Sequence, residues 1–449
     1  MINRQEPKPA RTAATIEPGA ARRARRGGWT ILILIVLVSM VPFLFDKPSD
    51  ATLSTGGGDF LRQGLYVAAL IYVLVSQGVI YDFGKLRILP LSLTILLAWC
   101  ICSVGWAIDP GISLRRVTLT VIVVLTVFLV VEAAGTARTL AVLRWSFVAL
   151  LLVNYLVVLA SPEGVHSTAD FDPSLAANWR GLMLHKNTAG VACAFTVLLW
   201  LFTGNRGLLR WLVICAAAYF LFETQSKTSL GALGVSLVFG FIFSVLSARP
   251  RMVAAAVALI AVILCLLAGQ EYLGELSRYL SQPDALTGRL QIWKFLWSFS
   301  MSNLALGSGY GSFWDIGPAS PIYQYTRNWV VFVSSGHSGY LDVLVQLGLG
   351  GFTLTLVAVV LVPLWRLLNN DTVSPAVCGL LAAGLAFFAM HNVTETSFLD
   401  RDRLAWVLLL FVIALIGVEH RRRPRRMTPE RAAERKAGTG GPAWYPAGL

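Results

Sequence analysis

Long apolar runs separated by short polar segments dominate the hydrophobic pattern of this chain. About 20 consecutive apolar residues cross a bilayer as an α-helix, so runs of this length predict membrane spans. The runs are continuous rather than alternating, which argues against a strand-built barrel. We therefore expect an all-α fold, a polytopic integral membrane helix bundle. About twelve spans are predicted, near 29–45, 62–80, 88–107, 113–134, 138–160, 186–203, 207–222, 228–247, 251–269, 349–367, 375–391 and 404–418.

Basic residues at the two ends of the chain predict the orientation of this bundle. They are Arg22, Arg23, Arg25 and Arg26 before the first span, and Arg421, Arg422, Arg423, Arg425 and Arg426 after the last. Lysine and arginine collect on the cytoplasmic side of a membrane. An even number of spans places both termini on that side. The net charge of +13 is thus explained by membrane topology and anionic headgroups, and we expect no nucleic-acid partner.

The amino-acid composition also indicates a membrane protein. Hydrophobic residues make up 56% of the chain and charged residues only 14%, a balance that a soluble protein of this length does not show. The six cysteines all fall inside predicted spans, without metal-type spacing. We interpret them as small apolar side chains and expect no disulfide framework.

Two longer segments, 161–185 and 270–336, lie outside the membrane in this topology. The second is far longer than a connection requires, and loops of that length are usually functional or disordered. It contains Trp293, Trp297 and Trp314, a composition too aromatic for disorder. We expect it to form short amphipathic helices on the external membrane surface.

A single histidine, His337, stands where this external segment meets the next helical pattern. Apolar residues at helical spacing follow it at Leu341, Leu344 and Val345. The positive end of a helix dipole disfavours a charged imidazole, and a neutral imidazole can act as a general base. A helix-capping or satisfied surface histidine is the structural alternative. The position at a membrane edge favours the catalytic interpretation.

Several further basic residues lie at the predicted external boundary, against the positive-inside pattern. They are Arg115, Arg116, Arg180, His185, Lys186, Lys227 and Arg289. Each alone is explained by snorkelling to headgroups or by pairing with a carboxylate such as Asp109 or Glu223. Ionisable groups at a membrane edge are costly unless paired or used. As a set on one face, they predict a site for phosphate groups, which arginine binds through two parallel hydrogen bonds.

Other motifs carry less information. The carboxylate pairs Asp170-Phe171-Asp172 and Asp400-Arg401-Asp402 are short and common by chance, and we expect neither metal nor cofactor. The segment Gly307-Ser308-Gly309-Tyr310-Gly311 follows no strand, so it is no dinucleotide fingerprint. A tight surface turn is the default interpretation and a phosphate nest the alternative. His391 and Asn392 end the eleventh span and are placed to support the site.

Six segments in order resemble the O-antigen ligase and polysaccharide polymerase family of bacterial envelopes. They are Ser103–Arg116, Gly181–Asn187, Ser226–Thr228, Thr287–Trp293, Gly307–Phe313 and His337–Gly351. The closest resemblance is to the succinoglycan-type exopolysaccharide polymerase branch. One departure is Ser338, where the family often has asparagine after its histidine.

The resemblance implies an inverting, metal-independent glycosyl transfer at the periplasmic face of the bacterial inner membrane. The donor would be a saccharide linked to undecaprenyl pyrophosphate, and a saccharide would be the acceptor. By this resemblance Arg289 and Arg180 would hold the pyrophosphate and His337 would activate the acceptor hydroxyl. Lys186, Lys227 and Arg115 are further substrate-binding candidates. Other envelope polysaccharide assembly proteins are possible partners.

The expected organisation has five parts. Residues 1–28 form a cytoplasmic basic tail, 29–269 the first membrane part, 270–336 a large periplasmic loop, 337–418 the second membrane part and 419–449 a basic, disordered tail. Polymerase and ligase remain open alternatives at this point, with polymerase favoured by resemblance. A flippase is the alternative from another functional class. Transporters tend to show related halves and polar or broken helices at mid-membrane, whereas the charges of this chain lie at one face.

Overall fold

The structure, a computed structural model, describes residues 18–45, 60–168, 175–255, 257, 260, 289–325 and 329–422. In these ranges the regular elements are helical, and one isolated bridge pairs Val165 with Trp179. Parts of the sequence predictions lie outside the described residues. These are Asp170-Phe171-Asp172, most of the predicted span near 251–269, the start of the long loop and the two chain ends.

The helices, numbered here in chain order, have the following bounds. They are α1 Pro18–Phe45, α2 Phe60–Ser76, α3 Leu91–Cys102, α4 Pro110–Ala160, α5 Lys186–Thr203, α6 Leu208–Glu223, α7 Lys227–Val245, α8 Arg289–Ser302, α9 Ile322–Tyr325, α10 Gly339–Thr355, α11 Val362–Leu368, α12 Pro375–Thr394 and α13 Leu404–Arg421.

Six helices in the described part of the chain are long and apolar enough to cross a membrane. They are Pro110–Ala160, Lys186–Thr203, Lys227–Val245, Gly339–Leu368, Pro375–Thr394 and Leu404–Arg421, with shorter apolar helices at Leu61–Ser76 and Leu91–Trp106. The expectation of an all-helical, multi-pass membrane protein is therefore confirmed. The larger predicted number of spans stays a prediction.

Helix α4 has 51 residues but is interrupted at Gly135, where φ is 70° and ψ is 166°. Only glycine adopts such a conformation readily. Arg116, near the first end of α4, contacts Gly311, and Asn154, near its other end, accepts a hydrogen bond from the Leu182 N–H. The middle of α4 contacts the end of α13 through Thr136 and Glu419. The break lies between the predicted spans 113–134 and 138–160.

Helices α7 and α12 pack closely because small residues face each other. A Cβ on Gly240 would lie 2.8 Å from Ala383 Cβ, and one on Gly379 would lie 2.8 Å from the Gly240 carbonyl. Small residues at such crossings let two backbones approach in a membrane. The hydroxyls of Thr228 and Thr394 meet at 2.9 Å. The start of α7 is thereby held against the end of α12.

Helix α10 is likewise interrupted, at Gly348, where φ is 64°. The Leu349 N–H donates to the Leu304 carbonyl at 2.8 Å, and the Ser308 N–H donates to Val345 at 2.9 Å. Residues 339–347 thus pack beside α8. After the break, the helix widens to a π-helical turn at Leu356–Leu361, just before Pro363. Proline lacks the N–H that a regular α-helix would need there.

The glycine-rich turn of residues 307–311 is buried rather than a surface turn. Four of its five N–H groups are already used: for example, Tyr310 donates to the Ser103 hydroxyl at 2.9 Å and Gly311 to Gln346 Oε1 at 2.8 Å. The Arg116 guanidinium donates to the carbonyls of Gly311 and Trp314 at 2.6 and 2.7 Å. With most of its donors occupied, this turn has little capacity to act as a phosphate nest. It holds α4 against the external segment.

Candidate functional site

The carboxylate of Glu395 is the centre of a cluster of polar side chains from distant parts of the chain. Its Oε1 accepts hydrogen bonds from Arg289 Nη2 and Asn187 Nδ2, each at 2.5 Å. Its Oε2 lies 3.5 Å from Nδ1 of His337, a close contact in which Nδ1 makes no hydrogen bond to a described residue. We call these four residues the Glu395 cluster. It brings together Arg289 and His337, the two residues that the sequence predicts as catalytic.

Glu395 is fixed by its backbone as well as by its side chain. It follows the last residue of α12, and its N–H donates to the His391 carbonyl at 2.9 Å. Its carbonyl accepts from the Gly339 N–H, the first residue of α10, at 3.0 Å. One turn earlier, Asn392 Oδ1 accepts from the N–H groups of Ser397 and Phe398 at 2.9 Å each. The end of α12 and the start of α10 thus form one rigid unit.

Gly339 leaves no room for a side chain in this unit. A Cβ at this position would overlap Oδ1 of Asn392, which is buried and already accepts two hydrogen bonds. We expect Gly339→Ala to lower the melting temperature and to abolish activity, because α10 must move away from α12. Gly234→Ala in α7 is the matched control, since nothing lies within 4 Å of its Cβ. Equal melting temperatures for the two variants would contradict this packing.

The backbone before α10 is held by Asp342, which is fully buried. Its carboxylate accepts from the Gly336 N–H at 2.9 Å and from Trp314 Nε1 at 2.7 Å, and also from the Thr396 hydroxyl. Trp293 Nε1 donates to the Gly336 carbonyl at 2.9 Å. His337 follows with a φ of 47°, a conformation that non-glycine residues seldom adopt. Such strain persists only where neighbouring contacts determine the backbone, and here it directs the imidazole towards Glu395.

The opposite side of the cluster is built by the starts of α5 and α7. Asn187 Oδ1 accepts from the Ser226 hydroxyl at 3.0 Å. His185 Nδ1 accepts from the Asn187 N–H at 3.2 Å, which requires a neutral ring. Burial lowers the pKa of His185 to about 4, outweighing the nearby Glu395 carboxylate, so the ring is neutral near pH 7. These contacts fix the side-chain amide of Asn187, which donates a hydrogen bond to Glu395.

Three helices begin at this cluster. Gly339 opens α10, Asn187 is the second residue of α5, and Ser226 is the residue before α7. The N-terminus of a helix carries a partial positive charge and unpaired N–H groups, so it favours anions. Arg289, Lys186 and Lys227 add positive charge to the region around Glu395. Its electrostatics suit a phosphate-bearing substrate.

Glu395 is ionised in this environment. Burial alone would raise its pKa, but the close contact with His337 and the positive charge of Arg289 outweigh burial and lower the pKa to about 2. Its ordinary value is 4.5. Since the folded-state pKa is the lower one, ionised Glu395 contributes stability above pH 4.5 that is lost as the pH falls towards 2.

We therefore expect wild-type protein to unfold at a higher temperature than Glu395→Gln at pH 7, and the difference to shrink between pH 4.5 and pH 2. Thermal unfolding in detergent across this range measures the difference. The exposed carboxylate Glu163 provides the control, as Glu163→Gln removes a charge without touching the cluster. A difference for Glu395→Gln that stays constant with pH would contradict the assignment.

The other predicted binding residues are connected to the Glu395 cluster less directly. Lys186 directly precedes Asn187, and its Nζ donates to the Gln225 carbonyl at 3.4 Å. Lys227 follows Ser226 and is exposed. Arg180 Nε donates to the Glu163 carbonyl at 2.7 Å. Arg115 is half-buried on α4, beside the structural Arg116, and makes no hydrogen bond through its side chain to a described residue. Of this set, Lys186 and Lys227 are joined to the cluster through their neighbours.

Sequence reasoning missed Glu395, Asn187 and Asp342 as functional candidates. A weak signal was present: Glu395 is a carboxylate that follows an apolar span directly, among hydroxyl residues. His391, which the sequence places near the site, lies one turn before Glu395. It is buried and stacks on Phe387, with ring centroids 5.6 Å apart. Neither of its ring nitrogens hydrogen-bonds to a described residue.

Within the described ranges, no group of three or more histidine, cysteine, aspartate or glutamate side chains is placed to hold a metal ion. Asp170 and Asp172 lie outside those ranges. The expectation of a metal-independent site therefore stays a prediction.

Comparison with known proteins adds one finding. Residues 211–356 match a protein-family model described as O-Antigen ligase. The matched region contains Lys227, Arg289 and His337 and ends before Glu395. Comparison with curated proteins gives no match. The match supports the O-antigen ligase family, whose members are membrane-bound enzymes that ligate or polymerise polysaccharides.

Proposed function

We propose that this protein transfers a saccharide from undecaprenyl pyrophosphate to a saccharide acceptor at the periplasmic face of the bacterial inner membrane. In this proposal it polymerises repeat units of an exopolysaccharide or O-antigen, as an enzyme without metal or cofactor. The observation that carries the proposal is the Glu395 cluster, where a histidine and an arginine meet one buried carboxylate at the start of three helices. The O-antigen ligase match supports it.

His337 supplies the base in this reaction. Its Nδ1 faces Glu395 Oε2, so we assign the proton to Nδ1 and leave Nε2 to accept a proton. The acceptor hydroxyl loses its proton to Nε2, and its oxygen forms a bond to the anomeric carbon of the donor. The bond from that carbon to the pyrophosphate oxygen breaks, and the electron pair leaves with undecaprenyl pyrophosphate. Glu395 stabilises the resulting imidazolium, as a carboxylate does beside a catalytic histidine.

Arg289 binds the leaving pyrophosphate in this proposal. Only Nη2 of its guanidinium is used within the described structure, by Glu395, so further N–H donors remain. Lys186, Lys227, Arg180 and Arg115 are the secondary phosphate-binding candidates. Charge develops on the pyrophosphate in the transition state, where groups already in place stabilise it without reorganisation.

A ligase that hands a finished polysaccharide to lipid A-core or another acceptor is the second candidate. The description of the matching family favours it. Both reactions use the same base and the same leaving group, so the Glu395 cluster serves either. The two reactions differ in the acceptor: a polymerase uses another repeat unit, and a ligase uses lipid A-core or another molecule.

The proposal includes a membrane arrangement. Both termini are cytoplasmic, about twelve helices cross the membrane, and the long segment ending at residue 336 is periplasmic. The Glu395 cluster then faces the periplasm, because it lies at the start of α5 and at the end of α12.

The lipid-linked saccharide pool of a strain lacking this chain tests the proposal, with each species sized and assigned to a membrane face. Single repeat units that accumulate on the periplasmic side would support a polymerase. Long chains that accumulate there would support the ligase. Units retained on the cytoplasmic side would overturn both and indicate a flippase.

A further inference from the structure

A second polar region lies at the other end of the helices that build the Glu395 cluster. A cavity of about 510 Å³ is lined by the end of α5, the start of α6, the start of α12 and the second half of α4. Three of its lining residues are arginines, Arg144, Arg206 and Arg210, and no acidic residue is among the described lining residues. We call it the arginine cavity.

The three arginines keep unused hydrogen-bond donors. Arg144 Nη1 donates to the Thr203 carbonyl, and Arg210 Nη2 donates to the Leu201 carbonyl at 2.5 Å. Arg210 Nε is buried and has no hydrogen-bond partner in the described structure. Arg206 is exposed and makes no side-chain hydrogen bond to a described residue. Three guanidinium groups with unused donors, and no acidic residue among the described lining residues, are suited to bind an anion between them.

The start of α12 adds to the positive potential of this cavity. Ala376 and Val377 line it, directly after Pro375, the first residue of the helix. Pro375 has no N–H and the Val377 N–H donates to the Ser374 hydroxyl at 3.4 Å, so the helix start acts mainly through its partial positive charge, which favours anions. Arginine groups and a helix start at one cavity are the combination that binds phosphate oxygens.

The arginine cavity lies at the membrane face opposite the Glu395 cluster. Helix α5 begins at the cluster and ends at the cavity, and its 18 residues span about 27 Å. Trp145 and Trp211, the neighbours of Arg144 and Arg210 in the chain, are 54% and 55% exposed. Exposed tryptophans are enriched at the depth of lipid headgroups. The cavity therefore opens near the headgroup layer.

We propose that the arginine cavity binds a phosphate group, and that its source is the headgroup of an anionic phospholipid. The site is separate from the glycosyl-transfer site and does not depend on that assignment. A bound headgroup would join α4, α5, α6 and α12 on this face and stabilise the fold.

The test uses full-length protein in detergent with added dioleoyl phosphatidylglycerol, dioleoyl phosphatidylcholine or inorganic phosphate, and reads the melting temperature and the bound lipid by native mass spectrometry. The variant is Arg206→Glu, because this side chain is exposed and holds no described contact. Arg249→Glu is the matched control, an exposed arginine outside the cavity.

We expect phosphatidylglycerol to raise the melting temperature of wild type and of Arg249→Glu, and to bind Arg206→Glu about tenfold more weakly, as charge-assisted hydrogen bonds are lost. A shift with inorganic phosphate alone, lost in Arg206→Glu, would retain the phosphate site but assign a soluble source. Equal binding to all three proteins, or no preference for phosphatidylglycerol over phosphatidylcholine and no response to phosphate, would overturn the proposal.

Discussion

His337→Asn is expected to lower the transfer rate by about 10²–10⁴, the range that general-base catalysis contributes. Asparagine tolerates the left-handed backbone that His337 adopts, with φ at 47°, better than alanine does. It cannot accept a proton near pH 7. The variant therefore removes the base while it keeps the turn before α10. The measurement is the rate of polymer formation by purified protein in vesicles with a lipid-pyrophosphate-linked saccharide donor.

The control for this variant is His420→Asn, which changes a histidine at the end of α13. We expect it to retain wild-type activity. Equal melting temperatures for wild type and His337→Asn would show that the fold is kept. Full activity of His337→Asn would remove His337 from the catalytic machinery.

Arg289→Ala is expected to lower the rate by about 10²–10³, as the loss of one group that stabilises transition-state charge typically does. Arg289→Lys keeps the charge but loses the planar donor arrangement, so an intermediate rate is expected. Lys294→Ala, an exposed change on the same helix, is the matched control. The rates are measured in the same vesicle assay.

A structural explanation for the Arg289 effect can be tested separately, because Arg289 also neutralises Glu395. If neutralisation were its only role, the double variant Arg289→Ala/Glu395→Gln would be as active as Glu395→Gln alone, since no buried charge would remain unpaired. We expect the double variant to be slower than Glu395→Gln, because it also lacks the group that binds the pyrophosphate. Equal rates for these two variants would assign Arg289 a structural role instead.

The helical membrane architecture could be predicted because continuous apolar runs leave few alternatives in a bilayer. The break at Gly135 falls between two predicted spans, and the break at Gly348 directly precedes another. Both breaks fall at a glycine, which adopts a positive φ readily. The buried turn of residues 307–311 was interpreted wrongly as a surface turn, because its burial depends on contacts with residues about 200 positions away in the chain.

The candidate site could be predicted only in part, because some of its contacts join residues that are far apart in the chain. His337 and Arg289 stand out in sequence because charged or titratable residues at a membrane edge are costly. Glu395 does not stand out in the sequence, because a single carboxylate at the end of a helix is common. Its role depends on tertiary contacts, as Arg289 is 106 residues away and Asn187 is 208 residues away along the chain. The meeting of three helix starts likewise depends on packing between distant segments and cannot be read from a local sequence pattern.

The most direct test of the account is a single-turnover reaction of purified protein with a polyprenyl-pyrophosphate-linked saccharide, in which both the new glycosidic linkage and the released lipid pyrophosphate are quantified. We predict one lipid pyrophosphate released for each linkage formed, with inverted anomeric configuration, and loss of both products in His337→Asn and in Arg289→Ala. Product formation at the wild-type rate by these two variants, while folded, would contradict the assignment of the Glu395 cluster as the catalytic site.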